Sequence, residues 1–279
     1  MQNAKKISIH GHRGARGLYP ENTIPAFIEA LQYGVNALEM DVIISKDLKV
    51  VVSHEPWMND LFCTQANGIA VEKDSKEKYN LYNMTYSEIK TYDCGLRKNP
   101  DFPLQKTMPA YKPLLTEVIN KVETYTKNNN LPPVIYNIEI KSETSEYNVF
   151  QPNPNEFVKL VYAEIKQHNI LNRIILQSFD VNILQEIKKQ NIPAIIGLLI
   201  ENTDDVETNI KHLGFIPNLY NPEFILVTTK LVHYLHQQNI QIIPWTVNEV
   251  DDMKRLINMG VDGIITDYPN QAMNLMNLQ

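Results

Sequence analysis

Eight short β-type runs, spaced by amphipathic helical stretches across 279 residues, predict an α/β fold, a TIM-type (β/α)8 barrel. Two further observations point the same way. Barrels of this kind commonly run to about 250 residues as one domain, so the length fits one barrel with an insertion. The segments LQYGVNALEMD (31–41) and INMGVDGIITD (257–267) also echo each other: a helix end, a Gly-Val turn, a strand and an aspartate at the strand end.

The strands are predicted at 7–13, 37–44, 134–141, 174–179, 194–200, 224–227, 240–247 and 263–266. Helical periodicity lies between them at 23–33, 114–127, 156–168, 181–190, 229–238 and 249–259, several of these ending at glycine or asparagine. The apolar run 49–55 follows the second strand through Ser45-Lys46-Asp47-Leu48, a turn too short for a crossover helix. It reads as an antiparallel hairpin arm. The stretch 56–112 is rich in Asn, Asp, Lys and Tyr with little periodicity, and is expected to be an insertion capping the barrel mouth within a single domain, 1–279.

Composition excludes some functions. A hydrophobic share of 43% against 21% charged residues is the balance of a globular domain, and no apolar run approaches the roughly 18 residues of a membrane span. The net charge of -6 argues against a nucleic-acid partner, which calls for a basic face, but not against a small anionic substrate held by local cations. Cys63 and Cys94 lack zinc-type spacing and are too few for a disulfide framework; whether they pair is left open. No apolar stretch follows the basic residues of 1–6, so no signal peptide is visible. The chain as given is therefore expected in the cytoplasm, with the periplasm or secretion as the expectation for a processed N-terminus.

The chemistry gathers at the C-terminal ends of the predicted strands, where barrels of this type build their active sites. Glu39 and Asp41, and likewise Glu139 and Lys141, stand two apart on a strand, so each pair points to one side. Inward charges cost on the order of several kcal/mol unless paired or metal-bound. Glu39, Asp41 and Glu139 are thus candidate ligands, and an all-oxygen set favours one hard divalent cation, Mg²⁺ or Ca²⁺. The competing reading is an ion network in which Lys141 and Arg13 neutralise the carboxylates. His12 and His54 lie near this cluster and can serve as general acid and base. His10 alternates with His12, and strand face alone does not choose between them. His233 and His236 have metal-like i, i+3 spacing, which exposed helix polarity explains more simply. Arg13-Gly14 offers a guanidinium fork and close backbone approach to an anion. There is no GxxxxGK[ST] phosphate loop.

Taken together, His12-Arg13-Gly14-Ala15, Pro20-Glu21-Asn22-Thr23, Glu39-Met40-Asp41-Val42 and Val52-Ser53-His54 form an ordered series. Glu139-Ile140-Lys141, Gln177-Ser178-Phe179, Trp245-Thr246-Val247-Asn248 and Gly263 through Pro269 continue it. The series resembles the signature of the glycerophosphodiester phosphodiesterase family over nearly the whole chain outside the insertion. The resemblance implies hydrolysis of glycerophosphodiesters to glycerol 3-phosphate and an alcohol. It implies metal ligation by Glu39, Asp41 and Glu139, acid/base roles for His12 and His54, and phosphate contacts from Arg13 and Lys141. Glu21 and Asn22 are implied as support beside metal and glycerol, and Phe179 and Trp245 as apolar walls. Two positions depart from the family pattern: Leu48 stands where the hairpin turn often has glycine, and Glu55 where aspartate often follows the histidine. The rival readings are a lysophospholipase D-like or broad-specificity phosphodiesterase on the same residues, and a non-catalytic binding barrel.

Overall fold

The computed structural model describes residues 7–277; the reading of the N-terminus at 1–6 lies outside them. Its strands are β1 (Ser8–Gly11), β2 (Ala37–Ile44), β3 (Val50–Val52), β4 (Ile135–Ile140), β5 (Ile174–Ser178), β6 (Ile195–Ile200), β7 (Leu219–Pro222), β8 (Gln241–Ile242) and β9 (Gly263–Thr266). Its helices are α1 (Ile24–Tyr33), α2 (Tyr86–Ile89), α3 (Leu115–Asn128), α4 (Pro154–Lys166), α5 (Val181–Lys189), α6 (Val206–Leu213), α7 (Thr229–Gln237), α8 (Val250–Met259) and α9 (Pro269–Asn277). The sheet order is β8-β7-β6-β5-β4-β2-β1-β9, all parallel, with β3 antiparallel on β2 as the hairpin arm. Backbone bonds from Asp262 to Ile242, from Ile265 to Pro244 and from Val247 to Ile265 bridge the remaining seam. The result is the expected barrel of eight parallel strands.

Local chemistry sets the ends of the helices. Thr23, Asn153, Asp180, Asp205 and Thr228 each accept a backbone N–H of the first turn of α1, α4, α5, α6 and α7. In the two echoing segments, Gly34 (φ 88°) and Gly260 (φ 89°) close α1 and α8 in the left-handed conformation, and the chain then enters β2 and β9. Along β2, Leu38, Met40, Val42 and Ile44 join the main core under the helices, which leaves Glu39 and Asp41 on the opposite face. That inner face holds a small apolar layer of Ile175, Leu219, Ile243 and Ile265 beneath the buried polar residues His10, Asn137, Gln177 and Asn221.

One strand is displaced from its predicted place. The apolar run 224–227 is not a barrel strand; Phe224–Leu226 is a 3-10 helix with Ile225 63% exposed, and the strand is Leu219–Pro222. Asn221 breaks the apolar pattern of the true strand because it faces inward and bonds Gln177, and Pro222 adds a residue without an N–H. The ladder of β8 is likewise shorter than 240–247, since Pro244 cannot donate, although Trp245 still bonds Pro222 and Phe224.

The segment 56–112 contains one 3-10 turn, Leu81–Asn83, and the short α2. Met58, Phe62, Cys63, Val71, Tyr79, Leu81, Ile89 and Cys94 form a separate small core against Ile43 and Val51 of the hairpin. Cys63 and Cys94 are joined as a disulfide inside it.

In the hairpin turn Leu48 takes the left-handed conformation (φ 59°) with its side chain 46% exposed, so the turn keeps a geometry suited to glycine. A β-carbon there costs about 1–2 kcal/mol, and glycine returns part of that as unfolded-chain entropy. Leu48→Gly is therefore expected to stabilise the protein by about 0.5–1 kcal/mol in urea unfolding with an unchanged m-value. A lower midpoint would show that Leu48 makes a contact worth more than its strain.

Candidate active site

Parallel pairing of β2 with β4 places Asp41 opposite Glu139, and Glu39 lies one inward position before Asp41. Oxygen atoms of Glu39, Asp41 and Glu139 consequently lie within 4.8 Å of one another, and all three residues are buried. Like charges so close, away from water, oppose ionisation. Burial, then Asp41 and Glu139, push Glu39 well above the usual carboxylate range. Glu139 is also raised, first by burial, although Lys141 Nζ at 2.7 Å from its Oε1 works against this. Asp41 goes the other way: burial raises it, but Arg13, His54, Lys141 and the Asn22 amide together hold it well below its ordinary value.

The loop after β1 supplies two of these counter-groups, Arg13 and Asn22, from strained backbone. Arg13 (φ 49°) and Asn22 (φ 56°) both adopt the left-handed conformation, which for such residues costs on the order of 1–3 kcal/mol each and concentrates at functional sites. From it, Arg13 donates its backbone N–H to Glu39 (3.0 Å) and its Nη1 to Glu21 (2.9 Å), with Nε 3.3 Å from Asp41. Asn22 donates its amide to Asp41 Oδ2 (2.8 Å) and accepts the Asp41 backbone N–H (3.3 Å). Between them, Gly14 (φ 87°) packs so tightly on α1 that a Cβ would sit 2.5 Å from the Ala26 backbone. Its glycine serves helix packing at least as directly as anion approach.

Within the three-carboxylate cluster one oxygen is left over, and Arg13 Nε and Glu55 Oε2 beside it are likewise buried without a hydrogen bond. Asp41 Oδ1 is buried without a hydrogen-bond partner among the described residues, a state that costs about 1–3 kcal/mol or more for a charged group. An all-oxygen cluster with an orphaned carboxylate oxygen and mutual repulsion fits a hard divalent cation better than a closed ion network.

His12 and His54 flank the cluster. His12 Nδ1 bonds Asp267 Oδ1 at 2.7 Å, with Nε2 3.9 Å from Glu39. Burial lowers its pKa and Asp267 opposes that shift. His54 Nδ1 bonds Glu55 at 2.8 Å and its Nε2 lies 3.2 Å from Lys141 Nζ, so the longer carboxylate at position 55 still reaches. His10 lies deeper than His12, buried in the barrel against Asn137, with a pKa lowered to about 4 by burial. His236 bonds Asp262 and His233 bonds Gln237 on α7, away from the cluster.

His12, Arg13, Glu39, His54, Glu139 and Lys141 share the wall of one cavity of about 240 Å³. Phe179 and Trp245 stand on the same wall, edge to face with ring centres 5.3 Å apart. Asp41, Glu21 and Asn22 sit behind it, holding Arg13 and one another in place. Several supporting residues had no role assigned from the sequence, although Gln177 and Asp267 stand in the motif series. Asp267 orients His12, Gln177 donates to Glu39 at 3.3 Å, and Asn221 donates in turn to Gln177 at 2.9 Å. Arg16 is a further cation on the wall. Lys112, buried, bonds Ser53 beside His54. Asp267 carried a signal, the aspartate closing the strand in the 31–41 and 257–267 echo.

Replacing Glu39 by Gln removes one of the three like charges while keeping an acceptor for Arg13. In metal-free protein Glu39→Gln is expected to raise the melting temperature by about 2–4 °C, the scale of 1 kcal/mol for a large domain, and to shrink the stabilisation given by added Mg²⁺ or Ca²⁺. A lower melting temperature, or an undiminished response to cation, contradicts the repulsion argument.

Residues 12–271 match the family model described as the glycerophosphoryl diester phosphodiesterase family. The chain is 32% identical to a glycerophosphodiester phosphodiesterase of Caldanaerobacter subterraneus over 97% of its length and 98% of that protein. It is 30% identical to another of that name from Bacillus altitudinis, over 96% of this chain and 97% of that one. A solved structure from Silicibacter pomeroyi superposes with a TM-score of 0.88 at 28% identity, covering 99% of this chain and 95% of that one. With a family model over residues 12–271 and relatives 30–32% identical over nearly the whole chain, the chain belongs to the glycerophosphoryl diester phosphodiesterase family.

Proposed function

We propose that this protein hydrolyses glycerophosphodiesters to glycerol 3-phosphate and an alcohol, in a metal-dependent reaction with His12 and His54 as the acid/base pair. The observation that carries the reading is the convergence of two carboxylate-bonded imidazoles, the cations Arg13 and Lys141, and Glu39 and Glu139 on one small cavity with Asp41 directly behind them. Glu39, Asp41 and Glu139 would hold a Mg²⁺ or Ca²⁺ ion, which when bound draws negative charge off the phosphate oxygens.

The chain's own groups do the rest. Arg13 and Lys141 bring positive charge to the phosphate, each already fixed by a carboxylate so that little reorganisation is needed. Asp267 and Glu55 each occupy the Nδ1 of their histidine, which leaves Nε2 of His12 for substrate, while Nε2 of His54 meets Lys141 Nζ at 3.2 Å, a contact that substrate would replace. One imidazole takes the proton of the attacking hydroxyl and the other protonates the leaving oxygen. Phe179 and Trp245 exclude water from one side; Trp245 is anchored through its indole N–H to Asn221 O at 2.8 Å. Glu21 and Asn22 support the metal and glycerol end by fixing Arg13 and Asp41.

A second reading, cleavage of lysophospholipids, is favoured by one observation: Leu61, Ile69, Leu96 and Leu104 are exposed on segment 56–112. Among the described residues no helix is long and apolar enough to cross a membrane. Comparing glycerophosphoethanolamine with lysophosphatidylethanolamine separates the readings, and a higher kcat/KM for the lysolipid would favour the second.

Exhaustive chelation should abolish release of glycerol 3-phosphate and added Mg²⁺ or Ca²⁺ should restore it; full activity in chelator contradicts the proposal. His12→Ala and His54→Ala should each lower kcat by about 10²-fold or more, the usual contribution of a general acid or base, whereas His10→Ala in folded protein should not. Choline, ethanolamine and glycerol diesters should differ in kcat/KM by about tenfold at most, with a diester lacking the glycerol hydroxyls lower by about 10³-fold. Efficient bis(p-nitrophenyl) phosphate cleavage with poor glycerophosphodiester turnover would instead indicate a broad-specificity phosphodiesterase.

A further inference from the structure

Arg16 has no part in the reaction just described, yet it shares the cavity wall with Arg13 and Lys141. Its guanidinium is held on two sides. Nε donates to Glu21 Oε2 at 2.7 Å, and the plane lies over the Phe102 ring at 4.4 Å. The other oxygen of Glu21 takes Arg13 Nη1, so one carboxylate spans two guanidinium groups and leaves a net positive charge. Arginine carries five N–H donors. Among the described residues only the one on Nε is engaged, and the side chain is 21% exposed on the cavity side of the loop.

The segment 56–112 fixes this arrangement from outside the barrel. Gln105 Nε2 donates to the backbone oxygens of Arg16 and Tyr19, both at 2.8 Å, and Lys106 N donates to Leu18 O at 2.8 Å. Lys106 Nζ also reaches the Tyr19 hydroxyl at 2.8 Å. A flexible side chain is thereby aimed by a ring beneath it, a carboxylate at one edge and a clamped backbone, which lowers the entropy lost when it binds.

We infer that Arg16 is a second phosphate-binding arginine, its terminal nitrogens taking phosphoryl oxygens of the glycerophosphate group, with Phe102 and Glu21 as the residues that position it. The inference rests on the phosphodiester reading of this cavity. A planar fork with its terminal edge unpaired matches the geometry of phosphate oxygens. Asp267, whose charge Arg16 also feels, already accepts from His12 and Asn248. Because Arg16 contacts neither histidine's hydrogen-bonding nitrogen nor the acidic cluster, it holds substrate and transition state alike, and its loss falls on KM and on product affinity. The dianionic monoester product depends on it more than the monoanionic diester.

The test uses the full chain as wild type, Arg16→Gln, Arg16→Lys and Phe102→Leu, each checked for folding by circular dichroism. kcat and KM are measured for glycerophosphoethanolamine, and glycerol 3-phosphate binding is measured both as inhibition and by calorimetry. Arg16→Gln should raise KM and weaken glycerol 3-phosphate by roughly 10- to 100-fold, the scale of a charge-assisted hydrogen bond, with kcat changed by less than about threefold. Phe102→Leu should move the same two constants in the same direction by less, and Arg16→Lys should recover part of the loss. Unchanged KM and product affinity in folded Arg16→Gln, or a fall in kcat with KM unmoved, overturns the inference. If Arg16→Gln does not fold, wild-type constants in Arg16→Lys and Phe102→Leu overturn it. A wild type that cleaves no glycerophosphodiester contradicts the reaction reading instead, and the calorimetric comparison then still decides whether Arg16 binds phosphate.

Discussion

The mutual repulsion of Glu39, Asp41 and Glu139 is the constraint to which the rest of the mouth answers. Two adjacent parallel strands bring three carboxylates within 4.8 Å in a buried setting. A fold selected for stability alone would place apolar residues there, since buried charge is favourable only when its partners are complete. Here the partners are incomplete by one oxygen, Asp41 Oδ1. Arg13, Lys141 and Asn22 offset part of the charge, and the unpartnered oxygen is where the proposed cation would bind.

Supplying those partners shapes the neighbouring backbone. The loop between β1 and α1 enters the left-handed region at Arg13, Gly14 and Asn22, so that one short segment can meet both Glu39 and Asp41. Strain of this kind persists only where its surroundings over-determine it. Gly14 against Ala26, the Asn22 N–H on Arg13 O and the grip of Gln105 and Lys106 on residues 16–19 provide that determination. The segment 56–112, which contributes no ligand to the acidic cluster, thus acts on the site through the loop it holds.

Much of this was legible in the sequence because two simple periodicities carry it. A spacing of two on a strand fixed the common side of Glu39 and Asp41, and strand ends marked the active face, so the cluster and both histidines followed from patterning and family resemblance together. Legibility failed where polar residues occupy strand interiors. Asn221 disguised β7, and the apolar 224–227 run was mistaken for it because a 3-10 turn with exposed Ile225 has the same composition as a strand. Contacts between segments far apart in the chain were equally invisible: the echo marked Asp267 as a strand-end aspartate but not as the partner of His12, and Phe102 beneath Arg16 has no local signature. Leu48 shows the converse, a residue poorly suited to its conformation that the surrounding hairpin nonetheless imposes.

In the proposed reaction the acidic cluster holds a divalent cation, and the phosphate lies against it between the two histidines. A crystal grown with Mn²⁺ and glycerol 3-phosphate and measured at the manganese absorption edge tests it directly. The account predicts one anomalous peak in contact with Glu39, Asp41 and Glu139, with the phosphate bonded to Arg13 and Lys141 and within reach of His12 and His54. A cation bound elsewhere, or Lys141 and Arg13 closing over the carboxylates with the phosphate excluded from the cavity, would contradict it.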